Sequence, residues 1–257
     1  MTGNIKPSFR QRLHVREHLV GTFLKTPTSH ATEILGPVGF DFVVIDQEHA
    51  PFDRASTDVA LLAARAMGLP ALVRVSGPAV ILLALDCGAT GVLVPHVATA
   101  AYAREVAAAC HYRGGSRGYA TSTRAGGYSS VPMWRHIRES DATVTVIAQI
   151  EDVSALNEID AIAAVEGIDS LFIGRGDLTA AFGNETPNPE EVVKATELIA
   201  AAARVAGKPL SVFVNGPDEV KWLKGLGASA FILSGDQGFL RQVATKALSD
   251  VKAVIQS

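Results

Sequence analysis

The sequence predicts an α/β protein of the closed (β/α)8, or TIM-barrel, class. Eight short β-branched and apolar runs, each bounded by Gly, Pro or Asp, recur along the chain. Most are followed by a longer Ala-rich stretch with helical periodicity. The 257 residues match the roughly 250 that eight such units need. No linker, charge block or sequence repeat interrupts them, so a single domain over 1–257 is expected, with an open doubly wound sheet as the alternative.

The strands are expected at 20–24, 42–46, 71–75, 91–94, 143–150, 170–173, 210–214 and 230–233. They read apolar on both faces, as strands of a parallel sheet covered by helices do. Helices are expected at 55–67, 99–109, 189–206, 217–226 and 238–255, and Asp86 closes another just ahead of Gly88. The interval 111–132 breaks the rhythm, being long and rich in Gly, Ser and Arg. Loops of that length are functional or mobile, or serve as surface excursions and subunit contacts.

Composition removes several function classes. With 48% hydrophobic and 19% charged residues the chain is too apolar for intrinsic disorder. The 23 basic and 26 acidic residues give a net charge of −3, and no basic block is long enough to neutralise a run of phosphates, so nucleic acid is not an expected partner. Cys87 and Cys110 form no closely spaced metal or redox pair, which suits a reducing compartment. The segment 1–18 is polar with no signal-type apolar stretch behind it, and the most apolar run, 78–85, is far shorter than the roughly 20 residues that cross a bilayer. A cytoplasmic protein without membrane contact is expected.

In such folds chemistry collects where strands end. The second run ends in Asp46-Gln47-Glu48-His49-Ala50-Pro51, three acids or bases within four positions, and the third in Arg74. The fifth ends in Gln149-Ile150-Glu151-Asp152 and the sixth in Gly174-Arg175-Gly176-Asp177. Glu151 and Asp177 end consecutive strands. Two hard oxygen donors there suit Mg²⁺ or Mn²⁺, which fill their shells with water and substrate. Each carboxylate could equally cap the following helix. His49 beside Glu48 has the elements of a proton carrier, and Arg74 offers a fixed cationic fork for a carboxylate or enolate oxygen, or an ion pair with Glu48 or Asp46. Asp86 opposes the dipole of its helix, which calls for a partner, and His49 is the candidate. Ser234-Gly235-Asp236-Gln237-Gly238 occupies the phosphate-cradle position of many barrels, but Asp236 would repel phosphate and a tight turn is expected instead.

Taken together and in order, Asp46-Gln47-Glu48-His49-Ala50-Pro51, Leu72-Val73-Arg74, Val92-Leu93-Val94-Pro95, Gln149-Ile150-Glu151 and Phe172-Ile173-Gly174-Arg175-Gly176-Asp177-Leu178 resemble the metal-dependent class II pyruvate aldolases. These are the dihydroxyheptenedioate and 2-dehydro-3-deoxyglucarate aldolases, related to the citrate lyase β-subunit. The similarity runs from about Gly21 to the C-terminal helix. The resemblance implies reversible cleavage of a 4-hydroxy-2-oxo acid to pyruvate or hydroxypyruvate and an aldehyde. It also implies a divalent cation, Mg²⁺, Mn²⁺ or Co²⁺, held by Glu151 and Asp177, with Arg74 on the keto or enolate oxygen. His49 would be the base, assisted by Asp86, and Gln149, Gly176 and Asp177 would line the 2-oxo acid site. A homohexamer with the terminal helix packed on a neighbour is expected from the same resemblance.

The chain departs from the family at Arg175-Gly176, where many relatives have Pro-Ala, at Tyr112-Arg113-Gly114-Gly115, and at His96, where methionine is common. Lys25, Arg117 and Arg124 are further candidates for shaping substrate range. Three other readings stay open: a decarboxylase working through the same enolate, a Schiff-base aldolase using Lys25, and a barrel retained as a non-catalytic subunit.

Overall fold

The computed structural model describes residues 7–183, 185 and 189–256. Eight parallel strands close on themselves in chain order: β1 (Leu19–Leu24), β2 (Phe42–Asp46), β3 (Ala71–Arg74), β4 (Gly91–Val94), β5 (Thr145–Ile150), β6 (Ser170–Ile173), β7 (Leu210–Val214) and β8 (Ala228–Gly235). All eight lie where the apolar runs place them. Residues 143 and 144 close the preceding helix rather than starting β5, the Val144 N–H bonding to the Ser140 carbonyl. The barrel is closed by β8, whose pairing with β1 shifts register between Gly21 and Phe23.

Helix α1 (Phe9–His14) precedes the barrel and plugs its N-terminal end. Its Phe9 and Leu13 join the interior cluster, with the Phe9 and Phe42 rings 4.9 Å apart. Arg10 Nε and His14 Nε2 each reach Asp169 Oδ1 at 2.8 Å, and the other oxygen of Asp169 accepts the Val146 N–H, so the plug is tied to β5 and β6. The outer layer is α2 (Ser29–Val38), α3 (Arg54–Ala66), α4 (Pro78–Asp86), α5 (Ala100–Cys110), α6 (Met133–Thr143), α7 (Ile159–Ala163), α8 (Arg175–Phe182), α9 (Glu190–Val205), α10 (Val220–Gly225) and α11 (Asp236–Ile255). The expected helix at 217–226 is a short 3₁₀ turn followed by α10. The unanticipated α6 is mostly polar and buries only His136 and Ile137, which hid it in the sequence.

Side chains alternate in and out of the barrel with period two. Phe23, Phe42, Val44, Leu72, Leu93, Ile147, Phe172 and Ile232 fill the interior, while their neighbours Val43, Ile45, Val73, Val92 and Ile173 pack against the helices. This parity decides what the barrel mouth contains. Continuing the inward series puts Asp46 after Val44, Arg74 after Leu72, and Gln149 then Glu151 after Ile147.

The interior is packed closely enough that Gly21 is required for space: a Cβ there would lie 2.5 Å from the ring of the fully buried Phe42. Gly21→Val is expected to lower stability by about 2–3 kcal/mol through overpacking, measured by urea denaturation. Adding Phe42→Leu should recover part of that loss, and no recovery would remove the steric explanation.

Candidate active site

Asp46 is the fixed point of the barrel mouth. It is fully buried, and its two oxygens accept Arg74 Nε at 2.9 Å and Nη2 at 2.7 Å in a bidentate pair. Lys25 Nζ lies 3.3 Å away, and the backbone N–H groups of Glu48 and His49 donate to Oδ1, which shapes the turn after β2. Burial would raise the Asp46 carboxyl pKa, but the hydrogen bonds and charge of Arg74, with the His49 N–H and Lys25, outweigh it and hold the group below its ordinary value. Arg74 is thereby immobilised, its guanidinium 4.7 Å from the Phe23 ring centroid and its Nη1 without an acceptor among the described residues.

Beyond Arg74 is a group of carboxylates. Glu151 is buried, accepts a short hydrogen bond from Gln149 Nε2 and takes the His96 N–H at 2.9 Å. Burial first, and then the adjacent Asp177 carboxyl, push the Glu151 carboxyl up to about 7, against the opposing effect of Gln149 and His96. The approach of β6 to Glu151 depends on Gly174, where a Cβ would lie 2.5 Å from the Glu151 Cβ. Glu48 lies between Arg74 Nε (3.4 Å), His49 Nε2 (3.6 Å) and His96 Nε2 (3.8 Å). One ligand atom each from Glu48, His96 and Glu151 lies within 4.8 Å of the others. For His96, burial disfavours the imidazolium, but the charges of Glu151, Asp152 and Glu48 raise its pKa overall.

This arrangement fits a divalent cation. The Glu151 and Asp177 carboxyls crowd each other, with only the exposed His96 ring, Nδ1 3.4 Å from Glu151 Oε1, as a nearby basic group. Gln149 Oε1 and Glu48 Oε2 are buried with no hydrogen-bond partner, Glu48 Oε2 having only its longer contacts with Arg74 and His49. A cation relieves both the repulsion and the unpaired oxygens.

A cavity of about 570 Å³ opens at this end of the barrel, lined by Arg74, Gln149, Gly176 and Asp177 with Lys25 and Arg175 on its walls. Four of the residues singled out in the sequence thus share one cavity, and Glu151 adjoins it through Gln149. His49 is exposed at the rim beside Glu48. The pairing of His49 with Asp86 is not formed within the chain. Asp86, at the end of α4, is 3.7 Å from Arg117 Nη2, and its carboxyl is raised by burial against the pull of Arg117.

The loop arginines also differ from expectation. Arg117 is buried, its guanidinium 4.4 Å from the Tyr112 ring centroid, and Arg124 Nη2 bonds Asp58 at 2.6 Å, so both anchor the 111–132 segment to the barrel instead of facing substrate. Arg175 turns to the wall, with Nη1 on Glu219 at 2.7 Å and Nη2 on the Phe213 carbonyl at 3.0 Å. Asp236 opens α11 as expected, but its carboxylate accepts the N–H groups of Lys25 and Thr26. Asp46, Glu48 and His96 were not among the assigned site residues, although counting inward positions along β2 reaches Asp46 directly.

Comparison with known proteins identifies relatives of this chain and of its fold. The family model of the HpcH/HpaI aldolase/citrate lyase group matches residues 19–241. A 5-keto-4-deoxy-D-glucarate aldolase of Enterobacter sp. (strain 638) is 32% identical over 97% of this chain and 98% of its own. A pyruvate aldolase of Rhizobium etli is 36% identical over 82% of this chain and 83% of its own. The crystal structure of an HpcH/HpaI aldolase/citrate lyase family protein from Burkholderia cenocepacia superposes with a TM-score of 0.88 at 30% identity, covering 95% of this chain and 98% of that one.

Asp46→Asn would strip the buried Arg74 of its bidentate counter-charge and leave only the longer contact with Glu48, an expected loss of about 3 kcal/mol at neutral pH. Because the folded carboxyl titrates below its ordinary 3.8, the stability it contributes is present above that value and is lost as pH falls through the lower folded one. The gap between wild type and Asp46→Asn in denaturant melts should therefore narrow below about pH 4. A gap unchanged with pH would contradict the pairing.

Proposed function

This chain belongs to the HpcH/HpaI aldolase/citrate lyase family, and from that premise we propose that it is a metal-dependent lyase. It reversibly cleaves 4-hydroxy-2-oxo acids to pyruvate, or hydroxypyruvate, and an aldehyde. The observation that carries the proposal is the immobilised Arg74, which shares one cavity with Gln149 and Asp177.

Breaking the bond between the third and fourth carbons leaves an enolate, and the site must hold negative charge on its oxygen. Glu151 and Asp177 would hold Mg²⁺, Mn²⁺ or Co²⁺, which when bound supplies Lewis-acid polarisation of the 2-oxo group. Arg74 donates from Nη1 to the same oxygen, and because Asp46 fixes the guanidinium beforehand, no reorganisation is needed as charge develops. Gly174 gives α8 no side-chain cap, so the N–H groups of its first turn, including Gly176, receive the substrate carboxylate. Gln149, on the cavity wall, orients Glu151 through its amide N–H. His49 takes the 4-hydroxyl proton, and Glu48 at 3.6 Å stabilises the resulting imidazolium.

Asp86 lines a different cavity, so assistance to His49 requires a second subunit. The exposed Leu240, Val243, Leu248 and Val251 of α11 support a homo-oligomer built on that helix. Among the described residues no helix is long and apolar enough to cross a membrane. The engagement of Lys25 Nζ by Asp46 argues against its use as a Schiff-base amine.

The testing experiment is exchange of pyruvate methyl protons into deuterated water, followed by NMR, which needs no knowledge of the aldehyde. Exchange is expected only with a divalent cation present and should stop with chelator; exchange indifferent to chelator would overturn the metal-dependent reading. Arg74→Ala should lower kcat for aldol cleavage by about 10²- to 10³-fold with a smaller change in KM. A change confined to KM would remove Arg74 from the enolate oxygen.

A further inference from the structure

The donors around Glu151 are not all oxygens. His96, on the loop after β4, brings a ring nitrogen within 4.8 Å of a carboxylate oxygen of Glu48 and of one of Glu151. Donors of one first-row dication, each about 2.0–2.2 Å from it, lie roughly 3–4.4 Å apart, so a small contraction brings all three onto one ion. Resting on the metal-dependent reading above, the geometry points to His96 as a direct imidazole ligand of the cation, giving a mixed nitrogen and oxygen centre that selects Mn²⁺, Co²⁺ or Zn²⁺ over Mg²⁺.

Two features of the loop prepare the ring for this role. Nδ1 lies 3.2 Å from Asp152 Oδ2, 3.4 Å from its Oδ1 and 3.4 Å from Glu151 Oε1. A proton on Nδ1 donated to Asp152 leaves the lone pair on Nε2, which faces Glu48 Oε1 at 3.8 Å. A carboxylate holding the far nitrogen of an imidazole is the usual support of a metal-ligating histidine. His96 also adopts the left-handed backbone conformation, with φ at 55°, a strained geometry for a residue with a side chain. The strained turn aims the His96 N–H at Glu151 Oε1, 2.9 Å away, so one residue orients the carboxylate and supplies the neighbouring donor.

The selectivity follows from donor type. Mg²⁺ keeps oxygen ligands and gives up its waters reluctantly, whereas imidazole suits first-row transition ions. Loss of the imidazole should therefore weaken Mn²⁺, Co²⁺ and Zn²⁺ binding more than tenfold, beyond the low end of what outer-shell changes cost, while leaving Mg²⁺ affinity little changed.

The test uses the full chain, stripped of metal and reloaded with Mn²⁺, with pulsed electron paramagnetic resonance reading ¹⁴N coupling from a directly bound imidazole. His96→Gln and His96→Leu are compared with wild type, chelator competition gives affinities for Mn²⁺, Co²⁺, Zn²⁺ and Mg²⁺, and Glu151→Gln reports whether the ion occupies this centre. Expected are a ¹⁴N coupling in wild type, its loss in both His96 variants, and a selective loss of transition-ion affinity. Bound Mn²⁺ without nitrogen coupling, or coupling that survives both substitutions, overturns the assignment. Pyruvate proton exchange on the same wild-type samples separates the two readings. Nitrogen coupling without exchange would sustain the His96 assignment and remove the aldolase one; exchange without nitrogen coupling would do the reverse.

Discussion

Burying a guanidinium at the end of a barrel strand is costly unless its counter-charge is buried with it and matches its geometry, and the pair formed by Asp46 and Arg74 meets that condition. The two residues are register partners on adjacent strands, so the barrel itself sets their separation. Everything else at the mouth is placed relative to them. The turn after β2 is drawn in by the Asp46 carboxylate, which puts Glu48 beside Arg74 and His49 at the rim. Lys25 is held across from them by the same oxygen that takes Arg74 Nη2.

The opposite side of the mouth has the reverse electrostatic character. Where Asp46 is satisfied, Glu151 and Asp177 are in conflict, and burial adds to the conflict. A folded protein retains such a conflict when something bound resolves it, which is why the site reads as a receptor for positive charge placed beside a fixed guanidinium. A 2-oxo acid suits both halves: its carboxylate and keto oxygens can chelate a cation while the guanidinium addresses the oxygen on which charge accumulates.

Much of this was legible in the sequence because parallel strands advertise themselves twice, by β-branched apolar runs and by polar residues where those runs stop. The strands at 42–46, 91–94, 170–173 and 210–214 match their runs residue for residue. Arg74 and Gln149 converge from their strand ends as the alternation requires, and Asp177, expected at the end of β6, joins them from the first turn of α8. What was not legible depends on contacts remote in sequence. Whether Asp86 answers to His49 or to Arg117 depends on how the 111–132 segment folds back over α4, and local pattern carries no information about that path. The left-handed turn at His96 is equally hidden, since nothing in Pro95-His96-Val97 signals a positive φ. Arg175 shows the same dependence: a cation two positions from Asp177 in sequence reaches Glu219, 44 positions along the chain.

The carboxylate of Asp236 gives neither its own helix a cap nor the cavity a charge; it holds the backbone of Lys25 and Thr26, more than two hundred positions earlier. With the pairing of β1 to β8, this makes the line where the first and eighth strands meet a seam that only a segment made after the other seven strands can fasten. A ribosome-bound chain that has completed seven strands exposes two unpaired strand edges, a template for pairing with other chains. The segment 228–236, which carries β8 and Asp236, therefore decides when the nascent protein stops being vulnerable to aggregation, and closure, a contact of long sequence separation, sets the pace of reaching that state.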